Sequence, residues 1–382
     1  MTGFTFSSPL RRFGCAALLA GCLLLGAPAM HAAQTAPALM PDEQQTIRIY
    51  KDASPAVVNI TSTTLNIDFF FNITPQQGTG SGVILTPDGY ILTNAHVVQD
   101  KDRLEVTLTT GKTYKARLIG GDLSKDIALI KVDPDAGEKL PTIELGDSDH
   151  LQVGQHVYAI GNPFGLNGTL TSGVISSLGR TLKAKNGRII ENVIQSDTAI
   201  NPGNSGGALL DSRGKLIGIN TAIFSPSGTS AGISFAIPVS MARRIATDLI
   251  EHGKVVRAYL GMQPGLEVNP AIAQALHLPV DAGLMVQNIV PASPADKAGL
   301  HGASQQVMIG NRPLFLGGDI IVKADNVPIT EINHFVNYVE SKRPGDRMTL
   351  EVYRDGQKLT LPVTLEERAA TEDIGAEAIP PS

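Results

Sequence analysis

Short apolar runs closed by turn residues fill much of the chain, from about Arg48 to Ile237. Leu104, Val106 and Leu108 alternate with polar residues, and an alternation of period two predicts a half-buried strand. Closure removes exposed strand edges, so many short strands over this length predict two small β-barrels. Three segments consist of two such runs joined by a turn, which predicts hairpins: SGVILTPDGYILTNAHVV, LEVTLTTGKTYKARLIG and ALLDSRGKLIGIN.

A helix and a second folding unit follow these strands. The segment PVSMARRIATDLIEHG predicts a helix with Pro238 near its first turn, Ser240 as its cap and Gly253 as its stop. From Tyr259 to about Glu367, strands are predicted around GLMVQNIV and RMTLEVYR, and a helix around SPADKAGL. The polar tail AATEDIGAEAIPPS ends in prolines and serine, and its composition predicts disorder.

The start of the chain has the order basic, apolar, small that is typical of a secretory signal peptide. Arg11 and Arg12 precede the run FGCAALLAGCLLLGAPAM, and small residues follow as far as Ala33. The run is close to the shortest length that spans a bilayer, so retention as a membrane anchor stays open beside cleavage. The sequence LAGC at Cys22 leaves lipidation open as well. Because Cys15 and Cys22 both lie in this leader, the mature chain has no disulfide.

Length and charge narrow the class of protein further. A chain of 382 residues predicts two domains with extensions. The net charge of -5 offers no basic surface for phosphates, so no nucleic-acid partner is expected. The histidines lack a ligand spacing such as H-E-x-x-H, so neither a metal nor another cofactor is expected.

Ser205 lies among glycines in the segment AINPGNSGGALLD, a setting that suits either a tight turn or a nucleophile. A nucleophilic serine needs a base and a carboxylate that orients the base. His96 in LTNAHVV and Asp126 in SKDIALIKV supply both, each at the edge of an apolar run. The order His, Asp, Ser is that of chymotrypsin, which predicts His96 and Asp126 on the first barrel and Ser205 on the second.

These motifs resemble those of the HtrA (Deg) family of secreted serine proteases. The similarity rests on TNAHVV, DIALIKV, GNPFGL, TSGVISSLGR, QSDTAINPGNSGGALL and AGISFAIP, and it covers about Thr46 to Glu366. The second unit, which begins YLGM, resembles the single PDZ domain of many members. The resemblance implies a mainly β fold, with a chymotrypsin-like double β-barrel protease domain followed by an α+β PDZ domain.

The resemblance also implies roles for individual residues. His96 is the expected general base, Asp126 its orienter and Ser205 the nucleophile. The backbone N–H groups of Gly203 and Ser205 are expected to bind the oxyanion. Uncharged residues are expected to bind the substrate, and they predict cleavage after small or medium aliphatic residues: Ala199, Ile200, Asn204, Asn220, Thr221, Ala222 and Ile223. As an alternative, Ile200 only packs the second barrel.

The loop Tyr259, Leu260, Gly261 and Met262 resembles the PDZ loop that receives a peptide's C-terminal carboxylate on backbone N–H groups. The longer segment GASQQVMIGNRPLFLGGD leaves open how accessible the helix edge of this domain is. The implied partners are unfolded or misfolded proteins and C-terminal peptides. The resemblance implies a homotrimer, and the phenylalanines that could assist it, or instead pack locally, are Phe69, Phe70 and Phe71.

The leading hypothesis is a periplasmic serine endopeptidase of protein quality control. The alternatives are an inner-membrane anchored protease that cuts one envelope-stress substrate, and a protease-chaperone in which holdase activity dominates. The predicted segments are a signal peptide or anchor at 1–33, an extension at 34–47, a protease domain at 48–252, a linker at 253–257, a PDZ domain at 258–367 and a disordered tail at 368–382.

Overall fold

The computed structural model describes residues 39–67, 73–165, 168–183, 189–223, 232–309, 312–368 and 373–375. The chain divides into two compact units, Met1–Pro41 and Asp42–Ser382. The first helix described below begins at Pro41, which is the last residue of the first unit. All the other secondary structure belongs to the second unit. The predicted leader and the three phenylalanines 69, 70 and 71 lie outside the described residues.

Six antiparallel strands close into a first barrel, which follows a helix, α1 (Pro41–Ala53). They are β1 (Val57–Ile67), β2 (Ile73–Ile84), β3 (Tyr90–Thr93), β4 (Arg103–Thr107), β5 (Thr113–Asp122) and β6 (Ile127–Val132). Their order is β5-β4-β1-β2-β3-β6, and pairing of β5 with β6 closes the sheet. A short helix, α2 (Ala95–Val98), directly follows β3. Buried Ile60, Ile91 and Ile130 belong to the apolar core.

A second barrel is formed by six further strands. They are β7 (His156–Gly161), β8 (Thr169–Lys183), β9 (Ile189–Ser196), β10 (Ala208–Asp211), β11 (Leu216–Ile223) and β12 (Ser234–Pro238). Their order is β10-β11-β12-β9-β8-β7, and β7 pairs with β10 to close the barrel. The predicted double β-barrel is therefore confirmed.

The three predicted hairpins are confirmed as β2 with β3, β4 with β5, and β10 with β11. Their turns contain Gly89, Gly111 and Gly214, which have φ values of 105°, 83° and 79°. An L side chain rarely adopts these angles, so the turn glycines set where each hairpin reverses. The turn signals in the sequence therefore determine where the strands end.

The predicted helix after the second barrel is α3 (Val239–His252), and it ends at Gly253 with φ 70°. The prediction that Ser240 caps it is wrong, because Pro238 occupies the cap position. Ser240 lies inside the first turn, where its own N–H needs an acceptor. Ser148, from the segment between β6 and β7, supplies this acceptor through Oγ at 3.0 Å. Burial of residues such as Ile245 and Leu249 packs α3 against a core that contains residues of both barrels.

The second folding unit has its own sheet and core. Its elements are β13 (Ala258–Tyr259), β14 (Met262–Val268), α4 (Pro270–Leu276), β15 (Gly283–Ile289), α5 (Pro294–Lys297), β16 (Gln305–Ile309), β17 (Arg312–Leu316), β18 (Ile320–Ala324), β19 (Val327–Pro328), α6 (Ile332–Ser341), β20 (Arg347–Arg354), β21 (Gln357–Thr364) and β22 (Glu366–Glu367). The main sheet has the order β14-β15-β18-β20-β21, and β13 pairs with β22. Phe335 and Val339 of α6 are buried in its core. The predicted α+β domain is confirmed.

Two segments of this half of the chain differ from simple loops. The long segment 302–319 contains a hairpin of β16 and β17, which pair only with each other in the described sheets. In the tail, β23 (Asp373–Gly375) pairs with β5 at Gly120, Gly121 and Asp122. The expected disorder of the tail therefore does not hold for these three residues. No helix in the described ranges is long and apolar enough to cross a membrane.

The two barrels meet where the loop that contains Ser205 crosses β2. The N–H of Ser81 donates to the carbonyl of Ser205 at 2.7 Å. Gly206 has φ 87° and packs so closely that a Cβ there would overlap the Ser81 carbonyl and the Thr93 hydroxyl. A glycine is thus required both by the backbone angle and by the contact between barrels.

Gly206→Ala is expected to destabilise the protein more than Gly111→Ala. Both glycines have similar positive φ, but nothing lies within 4 Å of a Cβ on Gly111. The angle alone costs about 1–2 kcal/mol, and overlap at Gly206 adds about 1–3 kcal/mol. Urea unfolding followed by far-ultraviolet circular dichroism measures both losses. Equal losses would show that the contact between the barrels does not constrain this position.

Candidate active site

His96 and Asp126 are brought together by the pairing of β3 with β6. α2 begins directly after β3 and contains His96, while Asp126 directly precedes β6. Nδ1 of His96 lies 3.0 Å from Oδ1 and 2.9 Å from Oδ2 of Asp126, and the His96 N–H donates to Oδ1 at 3.0 Å. Because Nδ1 faces a carboxylate, we place the ring proton on Nδ1, which leaves Nε2 able to accept a proton.

The backbone holds Asp126 in an uncommon conformation, with φ 52°. Few residues other than glycine adopt such angles, although aspartate tolerates them better than most. The Asn94 side chain donates to the Asp126 carbonyl at 3.0 Å. Oδ1 of Asp122 accepts the N–H groups of Ser124 and Lys125 at 2.8 and 3.1 Å. These contacts fix the turn 122–126, and with it the direction of the Asp126 carboxylate.

Thr221 joins Asp126 to Ser205. Its hydroxyl donates to Oδ2 of Asp126 at 2.6 Å, and its carbonyl accepts the Ser205 hydroxyl at 3.0 Å. The sequence led us to expect Thr221 as a wall of the substrate pocket, and no signal in the sequence pointed to this bridge. The bridge connects the two barrels, because Asp126 precedes β6 and Thr221 lies on β11.

Ser205 is half-buried on the loop before β10. Among the described residues its hydroxyl has one hydrogen-bond partner, the Thr221 carbonyl, and none connects it to His96. Serine has three staggered side-chain rotamers, so rotation about one bond changes the direction of Oγ. The Ser205 hydroxyl thus donates to a backbone carbonyl, while the His96 ring pairs with Asp126.

Within this loop, the segment 203–207 leaves two backbone donors unused. The N–H groups of Asn204, Gly206 and Gly207 donate to the carbonyls of Asn201, Asn220 and Asn204. In the described part of the chain, the N–H groups of Gly203 and Ser205 have no such acceptor. Gly203 has φ 92°, and a Cβ there would overlap Pro163. The two donors that the sequence singled out are thus the two that remain available to a ligand.

Ser81, which the sequence analysis missed, holds this loop from the first barrel. Its hydroxyl donates to the Gly203 carbonyl at 2.6 Å and accepts the Asn162 N–H at 2.8 Å. Its N–H donates to the Ser205 carbonyl at 2.7 Å. Ser81 is fully buried, so these bonds form away from competing water. The one signal that could have found it is a serine between two glycines, GSG, directly before the apolar residues Val83 and Ile84 at the end of β2.

The other expected substrate-binding residues have mixed surroundings. Ile200 is buried in the core of the second barrel with Val157 and Leu209, which is the packing role of the alternative interpretation. The side chain of Asn220 donates to the Ala208 carbonyl at 2.9 Å. The Ala199 carbonyl accepts the Thr171 hydroxyl at 3.2 Å, and Asn204 is buried. Ala222 and Ile223 lie on β11, and their side chains are outside the described part of the chain.

A second candidate site is a cleft of about 190 Å³ between the loop 259–262, β14 and α6. The Leu260 carbonyl accepts the N–H of Ala295 at 2.8 Å, and the Gly261 carbonyl accepts the N–H of Val290 at 2.9 Å. In a trans peptide the N–H points opposite to the carbonyl. The N–H groups of Gly261 and Met262 are therefore directed away from these contacts. None of the described residues of the hairpin of β16 and β17 lines the cleft.

The helix edge of this cleft was not predicted. Ile332, Phe335, Val336 and Val339 follow the 3.6-residue period of an amphipathic helix, and this spacing is the signal that could have identified α6. Because the segment has only ten helical residues and its N-cap residue, Glu331, makes no side-chain capping hydrogen bond, its start and stop signals are weak.

Charged contacts fix the C-terminal end of α6. Arg244 on α3 donates to the carbonyls of Ser341 and Lys342. Lys342 and the Tyr338 hydroxyl both bind the Asp325 carboxylate, at 2.8 and 2.6 Å. Burial acts to raise the pKa of Asp325, but these two hydrogen bonds, the bond from the Thr349 N–H and the charge of Lys342 together lower that pKa below its ordinary value. The hydrogen bond to Asp325 raises the pKa of Lys342. α6 is thus anchored on both sides of its last turn.

Comparison with known proteins agrees with this arrangement. Residues 80–219 match the model of the trypsin-like peptidase domain, and residues 254–365 match the PDZ domain. Protease Do-like 1, chloroplastic, of Arabidopsis thaliana is 40% identical over 375 residues, which cover 96% of this chain and 83% of that protein. The periplasmic pH-dependent serine endoprotease DegQ of Escherichia coli (strain K12) is 40% identical over 309 residues, which cover 81% of this chain and 63% of DegQ.

Solved structures give the same result. The structure of the HtrA-type protease AlgW with decapeptide is 36% identical, with a TM-score of 0.70, and the match covers 85% of this chain and 99% of that one. A further relative by sequence is the periplasmic serine endoprotease DegP of Escherichia coli (strain K12). It is 39% identical over 295 residues, and the chain spans 58% of its length.

The fold, the site and these matches define a trypsin-like serine endopeptidase followed by one PDZ domain. The chain belongs to the HtrA (Deg) family of serine endoproteases, as its motifs predicted. Peptides and proteins are accordingly the class of molecule on which it acts.

Ser81→Ala is expected to reduce peptide cleavage mainly through kcat. The change leaves the Gly203 carbonyl and the Asn162 N–H unpaired in a buried site, at a cost of about 1–3 kcal/mol. The loop then loses the contact that fixes Gly203. Steady-state cleavage of a short chromogenic peptide gives kcat and KM separately. Ser62→Ala, which removes a buried hydroxyl from the neighbouring strand β1, is the control. An unchanged kcat in Ser81→Ala would contradict the positioning role.

Proposed function

We propose that this chain is a periplasmic endopeptidase of protein quality control, which cleaves unfolded or misfolded envelope proteins by a Ser-His-Asp mechanism. The single observation that carries the proposal is the His96–Asp126 pair beside a loop that presents the Ser205 hydroxyl and two unused N–H groups. The periplasmic serine endoproteases DegQ and DegP among its relatives support the compartment. The predicted N-terminal leader supports export.

In the proposed mechanism Ser205 attacks the peptide carbonyl, and Nε2 of His96 accepts its proton. His96 then gives this proton to the leaving amine, and a water molecule repeats the sequence to release the acyl group from Ser205. Asp126 keeps the proton of His96 on Nδ1 and stabilises the imidazolium that forms. Thr221 donates to Oδ2 of the Asp126 carboxylate, which also lies 2.9 Å from Nδ1 of His96, and restricts the rotation of the carboxylate.

The tetrahedral intermediate carries a negative charge on the former carbonyl oxygen. The unused N–H groups of Gly203 and Ser205 are the proposed donors to that oxygen. Loss of one such donor typically lowers the rate on the order of 10²- to 10³-fold. Ser81 acts here by holding the carbonyl of Gly203, since it touches neither substrate nor the reacting atoms.

The hydrogen bond from the Ser205 hydroxyl to the Thr221 carbonyl fits an enzyme that is activated by ordering its loops. Before attack, Oγ of Ser205 exchanges the Thr221 carbonyl for Nε2 of His96. Asn204 stands before the serine, where many digestive relatives have an acidic residue that pairs with a newly cut amino terminus. We infer that activation in this chain does not depend on such a cut.

The PDZ domain is proposed to bind the C-terminal residues of peptides. The loop 259–262 directs the Gly261 and Met262 N–H groups away from the domain's own acceptors, and β14 offers an edge beside α6. The AlgW structures with decapeptide and with tripeptide support a peptide as ligand. A homotrimer, implied by the family resemblance, completes the proposal, and light scattering of the purified chain tests it.

Ser205→Ala is expected to lower the cleavage of a reduced, unfolded model protein on the order of 10⁶-fold, because the nucleophile is removed. Electrophoresis over time measures the cleavage. Ser212→Ala, on an exposed turn after β10, is the matched control and should cleave as the wild type does. Circular dichroism checks that both variants are folded. More than trace cleavage by folded Ser205→Ala would remove Ser205 from the proposed role.

The same assay separates the alternatives. Suppression of aggregation without comparable cleavage by the wild type would favour the holdase. Failure to cleave any unfolded protein but one envelope substrate would favour the anchored regulatory protease. N-terminal sequencing of the exported protein shows whether the leader is retained.

Cleavage is expected after Val, Ala, Ile or similar residues, with negligible cleavage after Arg or Lys. Residues 199, 200, 204 and 220 are uncharged, so a buried basic side chain would lack a counter-ion there. Mass spectrometry of the fragments of an unfolded protein locates the cut sites. A majority of cuts after basic residues would contradict the proposed pocket.

A further inference from the structure

The second half of strand β5 has an edge that no other strand of the first barrel covers. β4 pairs with β5 at residues 113–116, and its ladder goes no further. On the opposite side, β6 pairs with β5 as far as Asp122. Gly120 and Gly121 lie on this stretch, and glycine within a strand often marks a place where another backbone approaches closely. An edge of this kind is a template for an added strand.

The chain's own C-terminal tail occupies this edge. β23 (Asp373–Gly375) runs antiparallel to β5, opposite residues 120–122, and all three of those residues are buried. In strand addition the main-chain hydrogen bonds supply the affinity, so a segment whose composition predicts disorder can still dock. The edge is separate from the cleft of the PDZ domain, because neither residues 120–122 nor β23 line that cleft.

The end of the PDZ domain leads the tail to this edge. The N–H of Arg368, which directly follows β22, donates to the carbonyl of Arg257 at 2.9 Å. The side chain of Arg257 forms a buried ion pair with Asp122 at 2.8 Å. Asp373 follows five residues after Arg368, a length of chain that spans at most about 18 Å. The tail of one chain therefore reaches β5 of the same chain.

Asp122 is the residue at which the docked strand meets the active-site turn. Its Oδ1 accepts the N–H groups of Ser124 and Lys125 at 2.8 and 3.1 Å. Its backbone pairs with β6 on one side and with Asp373 on the other. The turn ends at Asp126, whose φ of 52° persists only when the surrounding structure holds it. The tail thus restrains the residue from which this turn begins.

We propose that the edge of β5 at residues 120–122 is a docking site for the chain's own tail, and that the docked strand restrains the turn 122–126 and so raises kcat. The inference rests on the proposed role of Asp126 as the orienter of His96. When the tail leaves, this part of β5 is paired on one side alone, and the Asp126 carboxylate meets His96 in the required geometry less often. The edge does not bind substrate, so KM stays nearly unchanged.

Hydrogen exchange measures docking in the full chain, in the Ser205→Ala background. Ile374→Pro and Gly375→Pro are the docking variants. Hydrogen-bonded and non-hydrogen-bonded positions alternate along an antiparallel strand, so one of the two prolines removes a ladder bond, whichever register the N–H groups have. Exchange in residues 117–126 should become faster in that variant. Ala378→Pro, three residues beyond β23, is the matched control and should exchange as the wild type does.

Steady-state cleavage of a short chromogenic peptide measures the effect on the active site, with Ser205 intact. The variant that exchanges faster should have a kcat about 5-fold lower, at the low end of couplings between separate sites, and a nearly unchanged KM. The free peptide AATEDIGAEAI, residues 369–379, should restore kcat when it is added to that variant, and a scrambled peptide should not. The peptide is amidated at its C-terminus, so it offers no terminal carboxylate to the PDZ cleft.

The outcomes separate docking from its effect. Unchanged exchange of residues 117–126 in both docking variants would overturn docking at this edge. Faster exchange with an unchanged kcat, or a peptide that restores exchange but not kcat, would overturn the restraint of the turn. Recovery of kcat when the docking variant is mixed with the Ser205→Ala chain would show that the tail of a second copy docks, and would overturn docking within one chain.

A separate variant tests the role on which the inference rests. Full activity of Asp126→Asn would contradict the proposed mechanism, and the effect of the tail on kcat with it. Hydrogen exchange does not depend on that role, so it would still show whether the tail docks. Failure of the mechanism and failure of the docking site are therefore distinguishable.

Discussion

The hydrogen bonds of Ser81 are the constraint on which the active site depends. The two barrels provide different parts of the site, so some contact must fix one barrel against the other at the loop that contains Ser205. Ser81 does this with three bonds from a fully buried position, to Gly203, Asn162 and Ser205. Gly206 allows the close approach that these bonds require.

Much of the fold could be predicted from local signals. Alternation and turn glycines located the hairpins, and the order of His96, Asp126 and Ser205 predicted which barrel each residue belongs to. The prediction of the Ser240 cap was wrong because the helix begins one residue before Ser240, at Val239, with Pro238 as its cap residue. The helix α6 was missed because ten residues with weak end signals do not separate clearly from a loop.

The parts of the site that could not be predicted are contacts between segments distant in the sequence. Thr221 is far from Asp126 along the chain, and only closure of both barrels brings its hydroxyl within 2.6 Å of that carboxylate. Ser81 has the same character, since it is an ordinary polar residue in its local context. Local periodicity determines elements, whereas these pairings depend on how finished elements pack. The sequence motif therefore identifies the reacting groups better than the groups that hold them in place.

The attachment of the PDZ domain determines how a captured chain would meet the protease. Arg343 binds the buried Asp248 of α3 at 2.6 Å, and Arg244 binds the end of α6. A module on a flexible tether acts by raising the local concentration of whatever it holds, from many directions. The contacts of Arg343 and Arg244 instead hold the cleft at a fixed distance from Ser205. The distance between the cleft and Ser205 would therefore determine which part of a bound polypeptide reaches the nucleophile, and diffusion of a tethered domain would not.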